Sequence, residues 1–342
     1  MNRIRNGILH ATFAVGLLAA VAPVSAEEDR WSSFLPYKKE LAGDTELPLP
    51  LGVGVIYYEQ KQDMQVTDQS FGFELSPILA GLGPALTAAG LNSGQIQALG
   101  QGLQGALGQV RPSDVRNEIR HQNIHLDAWL LPFFNLYAFA GKVRGETTVG
   151  TIEIAGADVG PFEVDYDGPV YGLGFILAGE YKGFWGNLDI NYSHTDLDGR
   201  NGLQLSDSDV VVFNYSPRVG INRKIAGVKA SMWIGGTYMD LKETVKGSVA
   251  FPAARVAGGV LSNQQVVAPL LAAGITQPQL TGAGMALANA QIPTSFSVET
   301  EPEEAWSGLF GFEVELYRNW RLLLEHSFGH RDHLLGQVSY RF

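Results

Sequence analysis

The chain contains no cysteine among its 342 residues. This absence excludes disulfide bonds, thiol catalysis and a lipid anchor on an acylated cysteine. After residue 26 the chain also has no run of eighteen apolar residues, so the sequence predicts no membrane-spanning helix. Glycine and aromatic residues are abundant instead, with 41 Gly, 17 Phe and 12 Tyr. A chain of this composition without a spanning helix leaves two options, a soluble protein or a β-barrel.

Positive charge is also in short supply, and the formal net charge is −11. An acidic balance argues against nucleic acid and anionic lipid surfaces as partners. No glycine-rich phosphate loop follows a strand into a helix, and the histidines show no convincing metal-ligand spacing. The sequence therefore predicts no cofactor and no metal site.

The first 26 residues have the pattern of a secretory signal peptide. Arg3 and Arg5 precede a mostly apolar run, and Val24-Ser25-Ala26 forms a small-residue cleavage site. Removal of this segment would leave an N-terminal periplasmic segment, residues 27–49, before the folded part of the chain. The folded part is expected over residues 50–342.

The last ten residues alternate in polarity with the period of a β-strand. Val338, Tyr340 and Phe342 share one face, and polar residues occupy the other. Nine earlier segments of similar length alternate in the same way. The ten predicted strands are 51–62, 116–130, 134–147, 168–181, 184–196, 207–221, 227–243, 302–316, 319–328 and 333–342. About ten residues is the length of a tilted strand that crosses a membrane.

An amphipathic final strand that ends on an aromatic residue, in an exported chain, resembles the closing strand of a Gram-negative outer-membrane β-barrel. The resemblance is one of architecture and identifies no specific family. It implies an all-β, antiparallel transmembrane barrel of about ten strands, or twelve if residues 149–165 add a hairpin. It also implies an outer-membrane location, contact with membrane lipid and lipopolysaccharide, and recognition of Tyr340 and Phe342 by the barrel-assembly machinery.

The cost of charge in lipid predicts which face of each strand points inward. A lysine or arginine that faces lipid at mid-membrane costs roughly 2–4 kcal/mol. Twelve charged residues are therefore expected in the lumen, where they should pair into a network that blocks the bore or, alternatively, guides a small solute. They are Asp127, Lys142, Arg144, Glu180, Asp189, Arg218, Lys229, Glu313, Glu315, Arg321, Glu325 and Arg341.

Two uncharged insertions, residues 76–110 and 257–292, resemble each other at a shift of 184 positions. Each predicts a helical hairpin in an extracellular loop. The first helix should end at Gly90 or Gly274, and Ser93 or Thr276 should cap the second.

The apolar residues of these hairpins are candidates for contact with a hydrophobic ligand, lipopolysaccharide or a protein partner at the outer rim. They are Leu86, Leu91, Ile96, Leu99, Leu270, Ile275, Leu280 and Leu287. A structural cap that seals the barrel is the alternative. The favoured function is thus a non-enzymatic surface barrel, followed by a narrow gated channel.

Two clusters are considered for catalysis, and neither predicts an enzyme. His326 and Ser327 are neighbours on a strand, so their side chains point to opposite faces and cannot share a hydrogen bond. The acidic group around His194 and Asp196 lies at the outer rim, where ten-stranded outer-membrane proteases carry their acids, but the other motif residues of that family are not found. An outer-membrane protease or lipid-modifying hydrolase stays the third alternative.

Overall fold

The computed structural model describes residues 48–107, 110–154, 157–158, 161–200, 204–254, 258, 261, 263–317 and 319–342. The predicted signal peptide and nearly all of the predicted periplasmic segment lie outside the described residues. Fourteen strands and four helices are described here. The strands are β1 (Leu51–Phe73), β2 (Val110–Leu131), β3 (Phe134–Ile154), β4 (Ala157–Asp158), β5 (Phe162–Tyr181), β6 (Phe184–Asp196), β7 (Asp198–Gly199), β8 (Gln204–Asp207), β9 (Asp209–Ile225), β10 (Val228–Pro252), β11 (Gln291–Pro302), β12 (Trp306–Leu316), β13 (Trp320–Gly329) and β14 (Arg331–Arg341).

Ten of these strands form a closed antiparallel ring. The order is β1-β2-β3-β5-β6-β9-β10-β12-β13-β14, and β14 pairs with β1 to complete it. The predicted barrel of about ten strands is therefore confirmed. The described residues between 149 and 165 add no further spanning pair to the ring, because β3 and β5 pair with each other as far as Val149 and Phe162, past the barrel.

The two ends of the barrel differ in their connections. At one end the strands are joined by tight turns, such as Lys182-Gly183 and Ala226-Gly227, in which both residues have positive φ. That conformation matches the twist of a two-residue hairpin. In bacterial barrels the short turns lie at the periplasmic end, together with the start of the first strand and the end of the last one. The long connections of this barrel therefore lie on the extracellular side.

The outer surface of the barrel is apolar. Leu173 and Ile234 are 63% and 66% exposed on the outside of their strands. Near the upper edge of this belt the rings of Tyr215, Tyr238 and Trp306 pack together at centroid distances of 4.8 to 5.6 Å. An apolar belt around a closed barrel would be untenable in water and is the surface that an outer membrane requires. We take the strand segments within this belt as membrane-spanning.

Above the belt, the strand β11 takes the place of β12, β13 and β14 in the barrel wall. The hairpin of β13 and β14 is short, and above its tip β11 pairs with β1 on one side and with β10 on the other. The strand β1 therefore pairs with β14 in its lower half and with β11 in its upper half. Residues 293–301 belong to no element predicted from the sequence, so this strand was not expected.

The four helices with described bounds cover the extracellular end. They are α1 (Leu75–Ala88), α2 (Ser93–Leu107), α3 (Gln264–Ala272) and α4 (Gln277–Leu287). None of the described helices is long and apolar enough to cross a membrane. The first helices of the two hairpins end before Gly90 and Gly274, each with positive φ, as predicted. The cap of α2 is Asn92 instead of Ser93, because the Asn92 side chain accepts a hydrogen bond from the Gln95 N–H.

The hairpins pack on each other as a four-helix cap, with α1 against α4 and α2 against α3. This packing overturns the expectation that their apolar side chains are exposed. Leu86, Leu99 and Leu280 are at most 2% exposed, and Ile96 packs at the edge of the same cluster. The other four predicted contact residues, Leu91, Leu270, Ile275 and Leu287, are buried there too. They form the core of the cap because short apolar helices need a surface to pack on, and the other hairpin provides most of it.

Equivalent glutamines connect the two hairpins. Gln95 Nε2 donates to the Gly274 carbonyl oxygen at 2.7 Å, and Gln279 Nε2 donates to the Gly90 carbonyl oxygen. The Oε1 atom of each glutamine also accepts the backbone N–H of its own helix cap, Asn92 or Thr276. The repeat at a shift of 184 is thus a local two-fold arrangement in the structure.

Candidate functional site

The barrel encloses a cavity of about 840 Å³. It extends from Pro132 and Gly183 beside the periplasmic turns to Leu241 and Glu243 above the membrane belt. A volume of this size is within the range of small-molecule sites.

A charged cluster forms the middle of the cavity wall. The Arg218 guanidinium binds Glu325 through two contacts, 2.7 Å from Nε to Oε2 and 2.9 Å from Nη2 to Oε1. Its Nη1 lies 3.3 Å from Asp189 Oδ2. Tyr137 donates its hydroxyl to Asp189 at 2.6 Å, and the Trp233 indole N–H donates to Glu325 at 2.7 Å. Both carboxylates therefore share the positive charge of Arg218, and each accepts a hydrogen bond from an aromatic side chain, which stabilises a buried charge.

Two further clusters lie closer to the periplasmic mouth. Arg341 Nη2 is 2.7 Å from Asp127 Oδ1, which also accepts a hydrogen bond from Asn135. On the adjoining wall, Arg321 contacts Glu313 at 3.3 Å and Glu315 at 3.5 Å. Lys229 also lies 4.0 Å from Glu315. The predicted Glu180 lies at the mouth, where Asn222 donates a hydrogen bond to it. The paired groups line the wall and leave a cavity between them instead of filling the bore.

Two of the twelve predicted lumen charges are on the outside. Lys142 and Arg144 are exposed, whereas Tyr137 and Val143 of the same strand point inward. The faces of β3 were therefore inverted in the prediction. The physical reason is height: Lys142 and Arg144 pair with Pro169 and Asp167, which precede the belt residue Tyr171, so their charges do not face hydrocarbon.

Glycines on neighbouring strands leave room for the aromatic rings of the lumen. A Cβ on Gly311 would lie 2.4 Å from the Trp233 ring, and one on Gly174 would lie 2.6 Å from the Tyr137 ring. Since a side chain at either glycine would displace the ring, these rings lie against the wall. This geometry helps to keep the cavity open in a barrel of only ten strands.

The upper part of the cavity has an apolar ceiling. Its members come from seven different strands or connections and are buried: Met64, Val115, Val143, Tyr166, Leu197, Val210, Met239 and Leu241. This apolar layer was not predicted from the sequence. A signal was present in β10, where the inward positions change from Lys229 and Ser231 to Met239 and Leu241.

One acid, Glu243, lies within this layer. It is 7% exposed and lines the cavity. It lies five residues above Tyr238, outside the membrane-spanning part of β10. Burial raises the pKa of its carboxyl group to about 7, although a hydrogen bond from Thr300 acts in the opposite direction.

The residues considered for catalysis do not form a triad. Ser327 is fully buried and donates its hydroxyl to the Arg331 carbonyl oxygen at 2.8 Å. His326 lies on the outer face, 3.5 Å from Asp332. The rim cluster brings His194 within 3.1 Å of Asp196 and 4.0 Å of Asp209, on the outer surface and away from the cavity.

The predicted assembly residues close the seam of the barrel. Phe342 and Leu51 exchange backbone hydrogen bonds at 3.0 and 3.1 Å, and Tyr340 packs against Trp320. Recognition of Tyr340 and Phe342 by the assembly machinery stays a prediction.

No protein-family model matches the chain, and no curated protein matches it in sequence. Solved structures match it at the level of the barrel. The β-domain of the Bordetella autotransporter Brka is 10% identical, with a TM-score of 0.37, over 85% of this chain and all of that one. The outer-membrane protein OprG of Pseudomonas aeruginosa is 10% identical, with a TM-score of 0.37, over 87% of this chain and 98% of that one. The toluene transporter TbuX of Ralstonia pickettii is 9% identical, with a TM-score of 0.24, over 86% of this chain and 90% of that one. At these scores the likeness carries no information about what this chain binds.

Proposed function

We propose that this protein is a capped outer-membrane channel that takes a small amphipathic molecule into its lumen. The observation that carries the proposal is the cavity of about 840 Å³, with paired charges along its lower wall and an apolar ceiling above them. Binding sites for small molecules combine an apolar lining with a few placed polar groups in this way.

The cap gives the channel its control point. The apolar core of the cap includes Phe73, Ile152 and Ile292, which lie on or near the upper ends of three barrel strands. The four helices therefore rest on the barrel wall and cover its extracellular end. A solute that enters from outside must displace a hairpin or pass between the two.

The surface-contact function favoured by the sequence has less support. It depended on apolar hairpin side chains at the rim, and those side chains form the core of the cap. Contact with lipopolysaccharide or a partner protein then falls to the outer faces of the helices, which are rich in glycine, glutamine and alanine.

The experiment is a binding titration with 2-phenylethanol, a small neutral probe with an apolar ring and one hydroxyl group. Val210→Trp places a large ring in the apolar ceiling and should weaken binding at least about tenfold, since the ring occupies the space that the probe needs. Isothermal calorimetry on the full-length protein in detergent measures this, with the heat of partition into micelles alone subtracted.

Val211→Trp is the matched control. Val211 is the next residue on β9 and faces the outside, opposite His194. Val211→Trp adds the same apolar side chain to the protein as Val210→Trp, but outside the cavity. It should therefore leave binding of the probe unchanged. Absence of measurable binding to the wild type, or equal loss in both variants, would contradict the proposal.

A further inference from the structure

Glu243 is a charged residue that lines the cavity and lies outside the paired clusters of the wall. Every charged cluster described above pairs acids with bases, but no lysine, arginine or histidine in the described part of the chain forms a salt bridge with Glu243. Among the described residues only Thr300 donates a hydrogen bond to its side chain, at a long 3.5 Å.

The surroundings of Glu243 make an ionised carboxylate costly. Leu241 and Met239 precede it on the same face of β10, and Val210 lies opposite it on β9. Tyr166 lies across the ceiling, where burial raises the pKa of its hydroxyl group and the nearby charge of Glu243 adds to that rise. An ionised group in such a layer is stabilised when a cation comes with its own hydrogen-bond donors.

We propose that Glu243 and the apolar ceiling form the binding site for the ammonium group and apolar body of an organic amine. This inference rests on the proposed function, because the amine must reach the ceiling through the lumen. The ammonium would donate hydrogen bonds to the Glu243 carboxylate, and the apolar body would pack against Met64, Val210 and Leu241.

The chemistry of the layer favours an organic cation over a metal ion. Calcium and magnesium require six or more oxygen ligands. The described ceiling offers one carboxylate among aliphatic, thioether and phenol side chains. Those side chains suit an apolar body, and methionine adapts to ligands of different shape. The ring of Tyr166 adds an aromatic face, which attracts an ammonium group.

The experiment compares phenethylamine with 2-phenylethanol and 3-phenylpropionate at pH 8, where the Glu243 carboxyl group is ionised and the amine is protonated. Calorimetry on the full-length protein should show that the amine binds at least about tenfold more tightly than the alcohol, and the acid most weakly. Glu243→Gln keeps the shape of the side chain and its contact with Thr300. It should bring the amine and the alcohol to similar affinity.

Asp240→Asn is the matched control. Asp240 lies three residues away on the exposed outer face of β10. Its loss removes the same charge from the protein and should leave the preference for the amine intact. On gels, a band that migrates faster for unheated than for boiled protein verifies that each variant is folded, because a closed barrel resists unfolding by detergent.

The outcomes separate the two proposals. If the alcohol binds the wild type without any preference for the amine, or if Glu243→Gln keeps the preference, the amine site is overturned and the channel proposal stands. If none of the three probes binds the wild type, the proposed function itself fails.

Discussion

At the scale of single residues, Arg218 holds the middle of the lumen wall together. It neutralises Glu325, whose side chain is 4% exposed, and also contacts Asp189. A buried carboxylate that loses its partner costs far more than an exposed one, since water cannot replace the missing charge.

Arg218→Met should therefore lower the free energy of unfolding by about 3–5 kcal/mol. Arg120→Met is the control, because Arg120 pairs with Glu59 at 3.4 Å on the exposed outer surface and its loss should cost at most about 1 kcal/mol. Urea unfolding in detergent, followed by tryptophan fluorescence, measures both values. Equal losses in the two variants would contradict the assigned role of Arg218.

The inward or outward direction of a charged side chain was predicted correctly where its strand crosses the membrane, because a charge that faces lipid is costly there. Arg218, Arg321 and Glu325 lie in strands within the apolar belt, and alternation with charge placed them inward. The same reasoning failed for Lys142 and Arg144, because above the belt the outer surface meets water and a charge there costs little. Because the predicted faces of β3 were inverted, Tyr137 was also placed toward lipid, whereas its hydroxyl group donates a hydrogen bond to Asp189 inside the lumen.

At the scale of secondary structure, the two helical hairpins are held by equivalent hydrogen bonds. Gln95 and Gln279 each accept a bond within one hairpin and donate a bond to the other. Glutamate at the same position retains the acceptor but cannot donate. Gln95→Glu therefore keeps the hydrogen bond that caps α2 and removes the one that connects the two hairpins.

Gln95→Glu should leave the helix content unchanged and increase amide hydrogen exchange in α2 and α3 by about threefold to tenfold, as expected for the loss of one hydrogen bond of about 0.5–1.5 kcal/mol. Gln279→Glu should give a similar increase, because the two positions are equivalent. Circular dichroism and exchange mass spectrometry provide the two readouts. A loss of helix content without faster exchange would show that the glutamine serves its own hairpin alone.

Sequence reasoning found the repeat at a shift of 184 and the glycine ends of the first helices. It could not find the partner of each apolar face. Composition shows that Leu86 or Leu280 must be covered by something, but the covering surface belongs to a hairpin nearly 200 residues away. The strand β11 was missed for the same reason, since its pairing with β1 joins distant parts of the chain.

At the scale of the whole molecule, the cap and the cavity predict a closed resting state that can be locked. A Cβ on Gly282 would lie 2.7 Å from Ala89 Cβ, on the other hairpin. Disulfides hold Cβ atoms about 3.8 Å apart, so a cross-link needs a separation of the helices by about 1 Å. The absence of native cysteine leaves only the introduced pair to react.

Oxidised Ala89→Cys/Gly282→Cys should conduct at least about threefold less than its reduced form in a planar lipid bilayer, since a covalent bond prevents separation of the hairpins. The single-cysteine variants should show no response to oxidation. Conductance that is the same before and after oxidation would show that the solute path does not run between the hairpins.

The double pairing of β1 has a consequence for biogenesis. In a simple barrel the first strand pairs only with the second strand until the last strand has formed. The whole length of the seam therefore stays open until the C-terminal strand is in place. Here the upper half of β1 can find β11 before β12, β13 and β14 have been inserted. The cap and the upper wall can thus be complete while the final three strands are still outside the sheet, and only the lower half of the seam remains for the chain terminus to close.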